Sequence, residues 1–434
     1  MAKPNLALIP ATVGGKVYSI LPSNGVGDFD FTRADGSSPT GVTRINAQGL
    51  IEQVASGVNR LNYSLLDGEV VGCPHLLLEP QRTNLIPYSE SLSNWTSTNI
   101  SALDNQAISP DGTLNASKVF ANVGTGAKSF YQLLSVTSSQ PYVFSVFLKK
   151  SEYKNAMLRI GGQSGSPYVI YDLDTQSVVS ESGVSSTKIE SYNNDWYRVS
   201  AIITTSGTVY APNIFFLPDN NYTIGSQNIP EFNGDGVSGG FAWGAMLEQG
   251  SYPTSYIKTT SAAVTRAAET CNNSGDAATF NDSEGVLMAE SSFIANDGTL
   301  KYITLNSGST ANRIILASTT TSNQIRCQLI SSSLPQVELF HTLQDIKSNI
   351  KIAFKYKEND FAFWVNGFKV GTYNNGSVSI GLNSLDFSNV GGTQPFYGNT
   401  KQIQYFDTTD IDLEQLTSWD SFRAMAEGQQ YNIE

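Results

Sequence analysis

The sequence predicts an all-β chain: two tandem β-sandwich (jelly-roll) domains after an irregular N-terminal segment, closed by a short C-terminal helix. Three observations predict it. Of 434 residues, 40% are apolar and only 15% charged, with 37 Gly, 20 Tyr and 21 Phe, a mixture that favours pleated structure over helix. Runs of strand length recur between turn clusters, without a convincing helical pattern between them. Finally, "DFAFWVNGFKVGTY" joins two apolar runs through Asn366-Gly367, the dipeptide suited to a type I′ hairpin.

Residues 1–80 mix turn signals (Ser23-Asn24-Gly25, Asp35-Gly36) with apolar runs too short for a core of their own. They read as irregular or extended chain packed on something else. From 81 to 265 the runs "KSFYQLLSV", "YVFSVFLKK", "AMLRIGG", "YVIYDL", "WYRVSAIIT", "NIFFLP" and "GFAWGAML" make the first sandwich. In the second of these, Tyr142, Phe144, Val146 and Leu148 share one face and Val143, Ser145, Phe147 and Lys149 the other. Bulk on both faces places that strand inside a sandwich or against a neighbouring subunit. In "WYRVSAIIT", Trp196, Arg198, Ser200 and Ile202 form a mixed face opposite the more apolar Tyr197, Val199, Ala201 and Ile203.

The stretch "FAWGAMLEQGSYPTSYIKTT", Phe241 to Thr260, reads as a closing strand and then a seam. Simple alternation sets Phe241, Trp243, Ala245 and Leu247 against Ala242, Gly244, Met246 and Glu248, with Gly244 allowing a close backbone approach. A small-residue connector leads into the second sandwich, 266–434, which ends in a helix capped by Asp412. That helix carries Leu413, Leu416, Trp419 and Phe422 and stops at Gly428.

The net charge of −12 without a basic stripe argues against nucleic acid and anionic membrane as partners. Cys73, Cys271 and Cys327, odd in number and far apart, read as reduced core thiols. "MAKPNLALIP" lacks the form of a signal peptide, and no apolar run reaches the ~18 residues of a bilayer span, so a soluble protein made in the cytosol is expected.

Catalytic motifs fail on their surroundings. "GVSGG" fits a nucleophile elbow at Ser238, but a loop precedes the serine, a strand follows it, and the histidines are His75 and His341, far off in sequence. In "KENDFAF", Glu358 and Asp360 lack the third carboxylate of an E-x-D-x-E glycosidase strand. Asp407, Asp410, Asp412 and Glu414 lack the glycine and distant glutamate of an EF-hand and suit a helix start. No enzyme is expected. Glycan binding needs only aromatic faces and hydrogen-bonding groups; the candidates are Tyr153, Tyr168 and Tyr171 on the first sandwich and Trp364 and Tyr373 on the second, set against the ordinary role of such aromatics as core.

Three segments, "LLLEPQRTNLIPYSESLSNW", "DWYRVS" and "FAWGAMLEQGSYPTSYIKT", resemble bacteriophage virion proteins of the tail-fibre and head-fibre kind, with a jelly roll like a carbohydrate-binding module. The last ~150 residues are similar to a concanavalin-like, laminin-G type sandwich. The resemblance implies a virion fibre or decoration protein whose residues 1–80 attach it to capsid, tail or baseplate neighbours. Its sandwiches would bind host surface polysaccharide, and it would be a homo-oligomer, trimer before dimer. A purely architectural virion component and a glycan depolymerase are the alternatives. Related jelly rolls hold a structural calcium between first and last strands; the nearest equivalents here are Glu90 and Glu248, where Glu replaces Asp and the spacing to Trp95 is longer. No other cofactor is implied.

Overall fold

The structure, a computed structural model, describes residues 3–13, 16–34, 41–378 and 381–419. Within them the chain is built almost wholly from antiparallel strands, arranged as two sandwiches. The all-β expectation holds.

In the first sandwich a six-stranded sheet runs Ile100–Ile108, Leu114–Ala121, Gly239–Gln249, Pro141–Lys150, Trp196–Thr204, Ser186–Tyr192. It faces a sheet whose centre is Val209–Leu217, Asn155–Gly161 and Tyr168–Asp172. Tyr142, Phe144, Val146 and Leu148 point between the sheets with Val199, Ala201 and Ile203, as their alternation predicts. The other face of the six-stranded sheet is covered as well. Phe147, Trp196, Trp243 and Met246 pack there against Ile51 from the N-terminal part and against Tyr256 and Ile257 from the segment that leaves the sandwich. The cover for the two-sided strand therefore comes from the chain itself.

One face assignment is corrected. Gly244 takes φ +64°, and the pairing of Gly239–Gln249 with Pro141–Lys150 slips between Ser145 and Phe147. This bulge reverses the alternation. Ala242, Ala245 and Leu247 face the inner core, while Trp243 and Met246 lie together outside. A Cβ on Gly244 would stand 2.9 Å from Phe147 Cδ2. Gly244→Ala therefore combines left-handed strain with a clash and is expected to cost about 1–3 kcal/mol, read as a lower urea midpoint. An unchanged midpoint would show that the bulge is not required.

The second sandwich sets an eight-stranded sheet against the five strands Leu334–Thr342, Gln324–Ser331, Arg313–Ser318, Tyr302–Asn306 and Ser384–Asp386. The larger sheet runs Phe368–Tyr373, Phe361–Val365, Ile350–Lys357, Glu284–Phe293, Gly398–Phe406, Glu69–Leu78, Arg60–Leu66. Its last two strands come from the first 80 residues, and Leu6–Leu8 pairs with the far end of Gly398–Phe406. Leu6, Leu8, Phe29, Phe31, Leu76 and Leu78 are buried in the same core as Phe354, Phe363 and Tyr405. The N-terminal part is thus packed on the second sandwich, but much of it is strand: Arg60–Leu66 and Glu69–Leu78 pair with each other as a hairpin, and the distant Gly398–Phe406 adds pairing to Leu6–Leu8 and Glu69–Leu78.

The Asn366-Gly367 hairpin forms with both residues at positive φ, +50° and +86°. The terminal helix is shorter than its apolar spacing predicts. Asp412 caps it by accepting from the Gln415 N–H at 2.9 Å, but it spans Leu413–Thr417 because Ser418 turns to extended backbone. Phe422 and Gly428 lie outside the described residues. Cys271 and Cys327 are buried free thiols, whereas Cys73 is exposed and so is not a core thiol. No helix among the described residues is long and apolar enough to cross a membrane.

Candidate functional site

The segments carrying the sequence fingerprint meet at a joint between the sandwiches, which forms the floor of the candidate site. In "EPQRTN", Glu79 binds Arg60 and Arg266, each at 2.8 Å, and accepts hydrogen bonds from the N–H and hydroxyl of Ser255 at 2.9 and 2.6 Å. Glu269, on the strand Glu269–Asn272, takes Arg60 and Arg33 on its carboxylate and the Glu79 N–H at 2.9 Å. Both glutamates are buried, so the ions hold one another in place of water. Burial pushes the Glu79 carboxyl up, but Arg266 and Arg60 more than reverse this and bring it to about 2. Asn84 is equally enclosed. It donates to the carbonyls of Ala245 and Ile257 and accepts from the N–H groups of Ile86 and Leu247, which ties the first sandwich's closing strand to the seam.

Above this floor opens a cleft of about 680 Å³, walled by the first sandwich's edge strands, the 251–256 segment, the N-terminal part and the loops at 293–294 and 345–348 of the second sandwich. Its volume falls in the range of small-ligand sites, yet its walls are mostly hydroxyls, amides and charges. Strand register sets the first wall. Glu190, Arg198, Phe147 and Trp243 are successive partners in one row across the sheet, and Lys188, Ser200, Ser145 and Met246 in the next.

Arg198 is 6% exposed. Its Nη2 donates to Ser145 Oγ at 3.0 Å, its guanidinium carbon stands 5.6 Å from the Phe147 ring centre, and its Nε has no hydrogen-bond partner. Tyr192 lies beside it, its hydroxyl pushed up to about 12, chiefly by burial. The other cations of the cleft are paired: Arg44 with Glu52, Lys188 with Glu190, Lys347 with Asp345.

The aromatic candidates are elsewhere. Tyr171 is 0% exposed and donates to the Ser200 carbonyl at 2.7 Å inside the core, which removes it as a sugar contact. Tyr153 is half-buried against Phe232, and Tyr168 bonds Ser180 Oγ at 3.2 Å. Trp364 is half-buried under Lys369, and Tyr373 is 41% exposed at a sheet edge. None of the five lines the cleft. Arg198 and Ser200 were visible on the mixed face of "DWYRVS"; a buried, salt-bridge-free arginine among Trp and Ile was the signal, and sequence alone did not expose it.

The two calcium candidates are likewise apart. Glu90 binds Lys258 at 2.6 Å and accepts from the Tyr256 hydroxyl at 3.2 Å, in a separate pocket of about 270 Å³ shared with Asp111 and Trp243. Burial raises its carboxyl despite Lys258. Glu248 is enclosed, accepting from the N–H and hydroxyl of Thr254 at 2.8 and 2.7 Å with Arg82 at 3.4 Å. Burial raises its carboxyl too, against the pull of Thr254, Arg198 and Arg266. Among the described residues no three His, Cys, Asp or Glu side chains gather as a metal site. Ser238 donates its hydroxyl to Asp235 at 2.6 Å, and neither histidine is among its hydrogen-bond partners, so "GVSGG" is a capped loop. Asp360 pairs with Lys355 at 2.6 Å.

No family model matches the chain, and no curated protein matches it. Among solved structures it is similar to the Ruminococcus gnavus IT-sialidase CBM40 bound to α2,3-sialyllactose, at 12% identity over 31% of this chain and 82% of that one, TM-score 0.28. It is also similar to mouse laminin α1 domains LG4-5, at 8% identity over 65% and 88%, TM-score 0.23. A Trypanosoma rangeli sialidase mutant displaying trans-sialidase activity follows, at 8% identity over 87% and 78%, TM-score 0.28. Likeness this distant carries no argument about site or substrate; the sandwich architecture rests on the strand pairing of the chain itself.

Proposed function

We propose that the chain is a non-catalytic glycan-binding protein whose ligand lies in the cleft at the joint. The carrying observation is the cleft's lining: Thr187, Ser200, Ser251 and Asn399 bring hydroxyls and an amide beside Tyr192 and beside Tyr252, one face of which lies under Arg82, the groups that sugar hydroxyls and ring faces require. Its carboxylates favour binding over hydrolysis, because Glu79, Glu190 and Asp345 are each engaged by a cation. A hydrolase needs one carboxyl kept protonated.

The finer reading places the protein on a bacteriophage particle, as a tail- or head-fibre or decoration protein made in the host cytoplasm and displayed as a homotrimer. The support is the triple of motifs around Glu79, Arg198 and Ser255. Their residues build the joint and the cleft together, so a fibre protein of this kind would carry its ligand site at its most constrained point. Several copies on one particle would turn a weak single site into firm attachment. No metal or other cofactor is required.

The test uses the full chain, because the second sandwich takes strands Arg60–Leu66 and Glu69–Leu78 from the N-terminal part. Multimerised protein is applied to arrays of bacterial surface polysaccharides. Binding is expected; its absence at every copy number sinks the glycan reading, and release of reducing ends would establish a depolymerase instead.

A further inference from the structure

The cleft has an unbalanced charge. Its walls carry four cations, Arg44, Lys188, Arg198 and Lys347, and three carboxylates, Glu79, Glu190 and Asp345. This local excess is positive in a chain of net charge −12. Pairing locates the excess: Arg44, Lys188 and Lys347 each have a carboxylate partner, and Glu79 is taken by Arg60 and Arg266. Arg198 alone among the described lining cations has no carboxylate within 4.0 Å. Glu190 is opposite it in register but turns to Lys188 at 2.7 Å, and the buried Glu248 feels its charge while hydrogen-bonding to Thr254.

A guanidinium so enclosed loses much of its hydration, and its acceptors, Ser145 Oγ at 3.0 Å, the Tyr192 hydroxyl and the soft Met246 Sδ at 4.0 Å, are all uncharged and leave its charge without a counter-ion. Its planar donor fork matches a carboxylate in geometry as well as charge. We propose that Arg198 receives the carboxylate of a bound acidic sugar, so that the cleft selects glycans of the uronic-acid class over neutral ones. This rests on the cleft being the glycan site. Lys347, on the opposite wall and exposed, adds a second, solvent-screened attraction.

Calorimetric titration of the full chain with oligogalacturonate, with the same oligomer after methyl esterification, and with a neutral oligosaccharide of equal length tests it. The acid form is expected to bind at least tenfold more tightly than its ester, and the preference to shrink with added salt. R198Q should abolish the preference. K347E, on the surface and independent of whether the first variant folds, should weaken the acid form severalfold and leave the ester unchanged. Equal binding of acid, ester and neutral oligomers overturns the assignment of Arg198 and leaves the cleft as a glycan site. An acid preference untouched by K347E and R198Q also overturns it, since the charge would then be read elsewhere. If none of the three oligomers binds, the assignment of Arg198 to a uronic-acid carboxylate is overturned, while the glycan reading stands or falls on the polysaccharide arrays.

Discussion

Glu269→Ala is expected to lower stability by about 3–5 kcal/mol. The reason is what remains behind. Arg60 and Arg33 both point at the Glu269 carboxylate, and the backbone N–H of Glu79 donates to it. With the carboxylate gone, two guanidiniums stay enclosed with one fewer counter-charge, Arg60 keeping Glu79 and Arg33 keeping the Ala55 and Val58 carbonyls. The intact cluster need not be strongly stabilising, because desolvating its ions offsets most of their attraction; breaking it is what costs. Chemical denaturation monitored by tryptophan fluorescence should show the midpoint fall. A loss under about 1 kcal/mol would mean that water reaches the joint and screens it.

Stability should fall as pH drops below about 6.5, and His75 is the main cause. It is 3% exposed on Glu69–Leu78, with Asn62 Nδ2 3.3 Å from its Nε2. Burial, with Lys401 nearby, lowers the imidazolium's pKa from 6.5 to about 3. The unfolded chain therefore takes up a proton below 6.5 that the folded chain refuses until about 3, and stability is lost across that window at up to about 1.4 kcal/mol per pH unit. His341, lowered by burial, acts in the same direction, while Glu90 and Glu248, whose carboxyls burial raises, act against it by holding protons that the unfolded chain gives up. Glu79 joins between 4.5 and about 2, where its folded form stays ionised while the unfolded one protonates, so the slope should steepen below 4.5. Urea midpoints measured from pH 7 to 4 should show the fall, and His75→Leu should flatten the part above pH 5. A His75→Leu profile with the same slope as wild type over that upper range would contradict the burial of His75.

How far the molecule could be read from its sequence depended on whether the signal was local. Strands such as Pro141–Lys150 announced themselves because alternate residues are bulky on both sides, and the Asn366-Gly367 turn because few residues accept positive φ twice. Phe241 to Gln249 misled, since a single glycine in a bulge inverts every face assignment after it. The N-terminal strands were obscure for a different reason: Leu6–Leu8 is three residues long and finds its partner almost 400 positions later. Aromatic identity did not distinguish wall from core, and Tyr171 proved to be core. Arg198 was legible as a residue on a mixed strand face; its lack of an ion-pair partner within 4.0 Å depends on distances that only the folded chain supplies.

The fingerprint segments also acquire a physical meaning. Glu79, Asn84 and Ser255 make the joint rigid, and Arg198 stands in the cleft above it. The most direct test of that arrangement is a structure of the full chain with a bound acidic oligosaccharide. The account predicts sugar in the cleft, with a carboxylate against Arg198 and ring faces near Tyr192 or Tyr252. Sugar stacked on Tyr153, Tyr168, Trp364 or Tyr373, with the cleft holding only water, would contradict it.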